Sequence, residues 1–390
     1  MHLCYGRLWR LGSSVGRALT SLSVAGAAFA APTVATVAGM PPVASASNLY
    51  SEAGSDHLSP AVAEALPRVY VPNLRSNDVY VIDPATFKVV DKFRVGYRPQ
   101  HVVPSWDLHT LWVTNNAEGR RDGSLTPIDP KSGRPGKEVR VNDPYNLYFM
   151  PDGKEAIVVA EAQARLDFRD SHTMALRSSL AVPRCKGINH ADFSIDGKYA
   201  LFTCEFDGSL AKIDLVNRKV VGYLRIARHG MPQDIRIAPD GKAFYVADML
   251  AGGVHVVDGD RLTRIDFIRT GVGTHGLYPS RDATRLYVAN RGSDRVHGPR
   301  RGTGSVSVID FATRKVVATW RIPGGGSPDM GNVSADGKTL WLSGRFDDVV
   351  YAIDTTTGSI RSIPVGMEPH GLTVWPQPGR YSLGHTGNMR

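Results

Sequence analysis

The residues best able to do chemistry recur at one place in a repeated phrase. His101, His190, His275 and His370 each open a short apolar segment, and Asn146, Gln233 and Asp329 hold the same setting elsewhere. Four of the chain's 12 histidines at one repeated position exceeds scattered placement. Imidazole suits copper, zinc and iron, so inward-facing histidines around a narrow axis can hold one or more such ions. His101, His190, His275 and His370 are therefore the expected metal ligands; the cofactor is left open, with copper or another divalent metal as the candidate. The competing account is a polar turn cap, whose side chains bond backbone groups or channel water.

A second repeated position reads Asn73, Asn115, Glu161, Glu205, Asp248, Asn290 and Gly344. Asparagine there is explained by a turn. The three carboxylates fall on consecutive repeats, and they repel unless a cation, a ligand or raised pKa values relieve them. Arg75, Arg291 and Arg345 follow the position on the other sector. Glu161, Glu205, Asp248, Arg75, Arg291 and Arg345 are thus the expected ligand-binding residues, acidic on one side and basic on the other. That polarity suits a small zwitterionic or anionic ligand; salt bridges between neighbouring repeats are the plain alternative. Cys185 and Cys204 flank the same region, and a disulfide is expected, with a thiolate ligand beside His190 as the alternative. Met231, Met249, Met330 and Met367 lie near these loops, where thioethers suit cuprous ion or serve as packing. No Cys-x-x-Cys-His, phosphate-cradling loop or Gly-x-Ser-x-Gly elbow occurs, and no catalytic residue is assigned.

The elements that position these residues are short strands. Residues 272 to 310 show the phrase: His275-Gly276-Leu277, then Leu286-Tyr287-Val288-Ala289-Asn290, then Val306-Ser307-Val308-Ile309-Asp310. Asp-Gly-Lys recurs at 152–154, 196–198, 240–242 and 336–338, and Asp-Gly reads as a two-residue hairpin. Alternating Val-x-Val has strand period, giving four strands per phrase. Four-stranded units at this spacing are propeller blades, which stack around an axis to bury both faces. Seven innermost strands are counted, and the last, near His370 to Val374, joins three N-terminal strands from Val69 to Val95. The fold is therefore all-β, a single seven-bladed β-propeller over residues 68–376.

Residues 1–30 read as a signal peptide: Arg7, Arg10 and Arg17 precede an apolar run ending at Ala28-Phe29-Ala30. Ala46 is a second cleavage candidate. The formal charge is +9, three units of it from that leader, and the remaining excess is too dispersed for a nucleic-acid footprint. Residues 31–67 are expected to be a flexible lead-in with little to pack, and residues 377–390 a frayed tail or a cover near the channel mouth. A secreted or periplasmic monomer without a transmembrane segment in the mature chain follows.

Trp112-Val113-Thr114-Asn115, echoed by Tyr70-Val71-Pro72-Asn73 and Tyr287-Val288-Ala289-Asn290, resembles the YVTN-repeat β-propellers, the YncE-type among them. The resemblance implies the fold strongly and activity weakly, since this fold hosts many chemistries. Similar propellers include the haem d-type nitrite reductases, copper propellers with histidines at their hub, and streptogramin lyases. Asn146, Gln233 and Asp329 depart from the copper pattern. The expected function is binding of a small ligand or metal ion, or both, at the channel mouth. The alternatives are a copper-type oxidoreductase, a lyase using His and Glu, and a scaffold whose outer loops, including Arg291 to Gly304, bind a protein.

Overall fold

The computed structural model describes residues 34–390 apart from 121, 300, 301 and 386. The expected signal peptide, residues 1–30, lies outside them. The described residues form seven four-stranded antiparallel sheets. Six are contiguous in sequence, blades 1 to 6, with innermost strands Pro99–Pro104, Pro144–Phe149, Ile188–Phe193, Pro232–Ile237, Thr274–Pro279 and Pro328–Val333. The closing blade joins Arg68–Asn73, Asp78–Asp83 and Lys88–Arg94 to Thr373–Trp375, pairing Arg68 with Trp375 and Tyr70 with Thr373.

The local chemistry follows the repeated phrase. In all four Asp-Gly-Lys segments the aspartate Oδ1 accepts the lysine N–H at 3.1 Å. The glycine between them adopts φ of +71° to +77°, which a side chain would strain. These segments sit within connections of five or six residues rather than forming two-residue hairpins. Each side of every blade is apolar, and one buried cluster fills each interface: Tyr148 with Phe202 between blades 2 and 3, Trp341 with Val374 between blade 6 and the closing blade. Burial between sheets, not within them, is what holds the ring together.

Two expectations about the chain ends change. The lead-in has apolar groups to bury: Leu49 and Tyr50 join the cluster between blades 3 and 4, and Ala53 and Val62 that between the closing blade and blade 1. Tyr50 Oη donates to Ile237 O at 2.7 Å. The tail also packs, but at the end of the channel away from the mouth, because Thr373–Trp375 carries the chain from one end to the other. Leu383 O accepts from Phe149 N at 3.1 Å, and Arg390 Nη2 donates to Asp192 Oδ1 at 2.7 Å.

All seven innermost strands carry the same irregularity. Pairing sums shift by one residue between Ile188–Cys204 and Ala191–Phe202, and likewise in the other blades. In the closing blade the shift falls between Pro369–Asn73 and Thr373–Tyr70. A bulge of this kind sets two consecutive residues opposite one. The hydroxyl facing the bulge secures it: Thr203 Oγ1 accepts from His190 N at 3.1 Å, Thr114 Oγ1 from His101 N at 3.1 Å, and Ser343 Oγ from Met330 N at 3.3 Å.

Past the bulge, the inner edge of each strand has no further strand to pair with. In several blades side chains of the neighbouring blade supply the acceptors instead, while Gly371 O and Leu383 O accept from Val102 N and Phe149 N. Tyr148 Oη accepts from Ala191 N and Tyr278 Oη from Gly331 N, both at 2.7 Å. Asp192 and Asp234 accept from Ile237 N and Leu277 N at 2.8 and 2.9 Å. Tyr278→Phe strands the Gly331 N–H in a buried site and is expected to lower stability by about 1–3 kcal/mol. Urea unfolding monitored by circular dichroism checks this; an unchanged midpoint would reject the edge-satisfying role.

Candidate functional site

The bulge divides the expected histidine ring into two levels. Counting from the residue paired just before the shift, Gln233, His275, Asp329 and His370 occupy the first bulge position. His101, Asn146 and His190 occupy the second, one level deeper. The first level is completed by Gln100, Tyr145 and Asn189, and the second by Asp234, Gly276, Met330 and Gly371. The four histidines therefore do not share one ring. The proline that opens most of these strands was the available signal, since it lies one residue before His370 and two before His101.

The upper level floors a cavity of about 630 Å³ at the channel mouth, lined by Tyr145, His275 and His370 among others. Asp329 organises this floor. It takes Nε and Nη2 of Arg291 at 3.1 and 2.7 Å, Nδ1 of His275 at 3.0 Å and Nδ1 of His370 at 2.8 Å. Burial alone would raise the Asp329 pKa, but Arg291 and the two imidazoles hold it well below the usual range. Burial, helped by the nearby guanidinium of Arg291, lowers His275 to about 4. Burial and Arg345 likewise bring His370 to about 3. Both rings are neutral near pH 7, donating from Nδ1 and leaving Nε2 with a lone pair. Tyr145 Oη stands 3.5 Å from His370 Nε2.

The walls carry opposite character. Glu161 and Glu205 line blades 2 and 3, while Arg291 and Arg345 line blades 5 and 6. These four are register equivalents, each one residue beyond the Asn of the repeat. The Asn position itself is structural: Asn115 Nδ2 donates to Ser124 Oγ and Thr126 Oγ1, and Asn290 Nδ2 to Ser305 and Ser307. Asp248 belongs to that structural set. It bonds His255 at 3.1 Å and accepts from the backbone of Met231, Leu250 and Ala251, so it is a turn anchor outside the cavity. Arg75 also lies outside the cavity, its side chain 61% exposed and paired with Glu368 at 2.6 Å.

Burial raises the Glu161 pKa well above its usual value, reinforced by Glu205 and Asp143. Burial raises Glu205 as well, although Gln233, Arg291 and Asn189 oppose it. Asn189 Nδ2 donates to Glu205 Oε2 at 2.9 Å. Cys185 and Cys204 form a disulfide with Cα atoms 4.6 Å apart, fixing the loop beside Glu205 and removing either sulfur as a thiolate ligand.

Sequence reading missed three contributors. Tyr145 escapes the repeat pattern because Asn146, one residue further along, matches the ring position in sequence. His297, in the 291–304 insertion, reaches Glu118 Oε1 at 3.1 Å and Glu368 Oε1 at 3.6 Å, arching over the cavity. His385, in the tail, enters the channel from the far end and meets Asn146 Nδ2 at 3.0 Å. Nothing in the repeat pattern marks either histidine.

A family profile described as YNCE-like beta-propeller matches residues 23–378. The chain belongs to the YNCE-like β-propeller family. The uncharacterized protein YncE of Salmonella typhi is 25% identical over 290 residues, covering 68% of this chain and 74% of YncE. Among solved structures, the dihydro-heme d1 dehydrogenase NirN in complex with DHE is similar, with TM-score 0.59 and 16% identity over 79% of this chain and 75% of NirN. A putative 6-phosphogluconolactonase from Bacteroides uniformis has TM-score 0.63 and 17% identity, covering 78% of this chain and 98% of that one. At these identities the likeness shows the fold alone. Among the described residues no helix is long and apolar enough to cross a membrane.

The mouth of this YNCE-like propeller has a defined protonation pattern. The carboxylates of Glu118 and Glu368, accepting from its ring N–H groups, raise His297 to about 9. Its bond to His297 brings Glu118 down to about 2. For His297 the folded pKa exceeds the unfolded one, so its contribution to closing the loop is full below pH 6.5 and fades as pH rises through about 9. His275 and His370 have the opposite sign: stability is lost as pH falls from 6.5 toward their folded values. Histidine NMR titration should place His297 near 9, His275 near 4 and His370 near 3. A midpoint near 6.5 for any of the three would contradict the arrangement.

Proposed function

We propose that this protein is an exported cell-envelope β-propeller that binds a small zwitterionic or anionic ligand at the mouth of its channel. The reading rests on one observation. A single 630 Å³ cavity has Glu161 and Glu205 on one wall, Arg291 and Arg345 on the other, and two neutral imidazoles between. Asp329, Glu368 and Glu118 already balance Arg291, Arg345 and His297. Glu161 and Glu205 have no such close ion pair, and burial, joined for Glu161 by the charge of Glu205, raises their pKa values. An ammonium or quaternary nitrogen beside them favours the ionised pair and expels a proton, while a carboxylate at the other end meets the guanidinium edges. Affinity for such a ligand therefore increases with pH through the range where these carboxyls titrate. Export is supported by the basic and apolar pattern of residues 1–30 and by the disulfide, which persists in an oxidising compartment.

A second reading, acid–base catalysis on that ligand, is favoured by two carboxyls of raised pKa lining the same cavity as His370, whose Nε2 carries a lone pair. Glu161 or Glu205 would donate, and Nε2 of His370, held by Asp329, would accept.

A thermal-shift screen of short amino acids and betaines, followed by calorimetry on the best compound, tests the binding reading. Glu161→Gln and Arg345→Ala are each expected to weaken binding at least tenfold, about 1.4 kcal/mol. Arg75→Ala, outside the cavity, should leave it unchanged. If no compound carrying both charges binds below millimolar concentration, or if both cavity variants bind like the parent, the reading fails.

A further inference from the structure

Beneath the mouth lies a second, deeper cluster that ligand binding does not use. His101, His190 and His385 are fully buried, and one ligand atom from each lies within 4.8 Å of the others. His101 comes from blade 1, His190 from blade 3, and His385 from the tail. The ring centres are 5.5, 5.1 and 4.7 Å apart. Imidazoles bound through nitrogen at about 2.0 Å to one ion place their centres roughly 5 Å apart, so the spacing matches a shared centre.

Polar satisfaction points the same way. Both ring nitrogens of His101 and Nε2 of His190 are buried without a hydrogen-bond partner. A neutral imidazole presents one donor and one acceptor, and leaving either unmade in a buried site is costly. His101 is pressed into place by Gly371, where an added Cβ would fall 2.0 Å from Nδ1. His385 is oriented by a carboxylate, with Nε2 3.3 Å from Asp234 Oδ1. Nδ1 of His385 and Nδ1 of His190 both converge on Asn146 Nδ2, at 3.0 and 3.2 Å. That amide holds two lone pairs that an ion would take, and it must turn aside for the ion to enter.

The surrounding charge selects the ion. Asp234 is matched by Arg236 at 3.0 Å, Asp192 by Arg390 at 2.7 Å, and Asp329 by Arg291. Among the described residues these carboxylates each already face a guanidinium, so a monovalent ion is far less costly to bury than a divalent one. The buried thioether of Met330 occupies the same level of the ring. We propose that His101, His190 and His385 form a three-nitrogen site for a single cuprous ion, closed from below by the tail and separate from the ligand cavity above.

The test loads the purified full chain anaerobically with Cu(I), removes loosely held metal with a chelator, and counts copper by mass spectrometry. X-ray absorption reports the nearest ligands. The parent should retain one equivalent with nitrogen neighbours near 2.0 Å. His101→Gln and His385→Gln should fall below about a tenth of an equivalent, with circular dichroism showing each still folded; His385 lies in the tail, so its variant keeps the test valid if the other does not fold. Glu205→Gln, altered only in the cavity, should retain the full equivalent, which separates this site from the ligand reading. Copper below a tenth of an equivalent in the parent overturns the proposal, as does full retention in folded His385→Gln.

Discussion

Everything at the centre of this molecule follows from an edge that cannot be paired. Seven sheets radiate from an axis, and the inner strand of each turns one row of backbone N–H and C=O groups toward the channel. A buried backbone group without a partner costs free energy comparable to a lost hydrogen bond. The protein meets that demand largely with side chains, and in blades 1 and 2 also with the backbone of Gly371 and Leu383. Tyr148, Tyr278, Asp192 and Asp234 accept from the next blade along, and Asn332 Oδ1 accepts from Val374 N at 2.9 Å across the closing interface. The channel is polar because its walls are strand edges.

The shared bulge decides how that polarity is distributed. One extra residue per inner strand brings two neighbouring side chains toward the axis where a regular strand would bring one. The outcome is two stacked layers with different character. The upper, built around Asp329, is a network of charged groups open to the cavity. The lower is a closed group of imidazoles and amides, flanked by the ion pairs Asp234–Arg236 and Asp192–Arg390. Thr114, Thr203 and Ser343 clamp the bulge, which gives a structural role to the third position of the Tyr-Val-Thr-Asn phrase.

The architecture was legible because the repeat states it many times. Val-x-Val alternation, Asp-Gly-Lys turns and incomplete phrases at the two ends give strand order, blade number and closure. The levels of the channel were not legible, for a physical reason. A bulge shifts register by one residue without changing the residue types around it, so His101 and His275 look alike in sequence yet lie at different depths. On the next strand Asp248 pairs where Ala160 and Cys204 do, one residue before the level of Glu161 and Glu205, an offset that the residue types do not reveal. His297 and His385 lie outside the repeat, and only the path of the insertion and of the tail brings them to the axis. The lead-in looked bare because its apolar residues are few, but Leu49, Tyr50 and Val62 each find a blade interface to enter.

The position of the closing strand also imposes an order of events. Arg68–Asn73 waits for a partner that arrives about three hundred residues later, and His385 follows ten residues after that partner ends. A chain delivered from its N-terminus can stack blades 1 to 6 early, yet the ring stays open until its last strand arrives. Only then can the tail thread its histidine into the axis. Completion of the deep cluster is thereby made a record of successful ring closure, and a chain cut short before residue 373 would carry a mouth but no sealed interior.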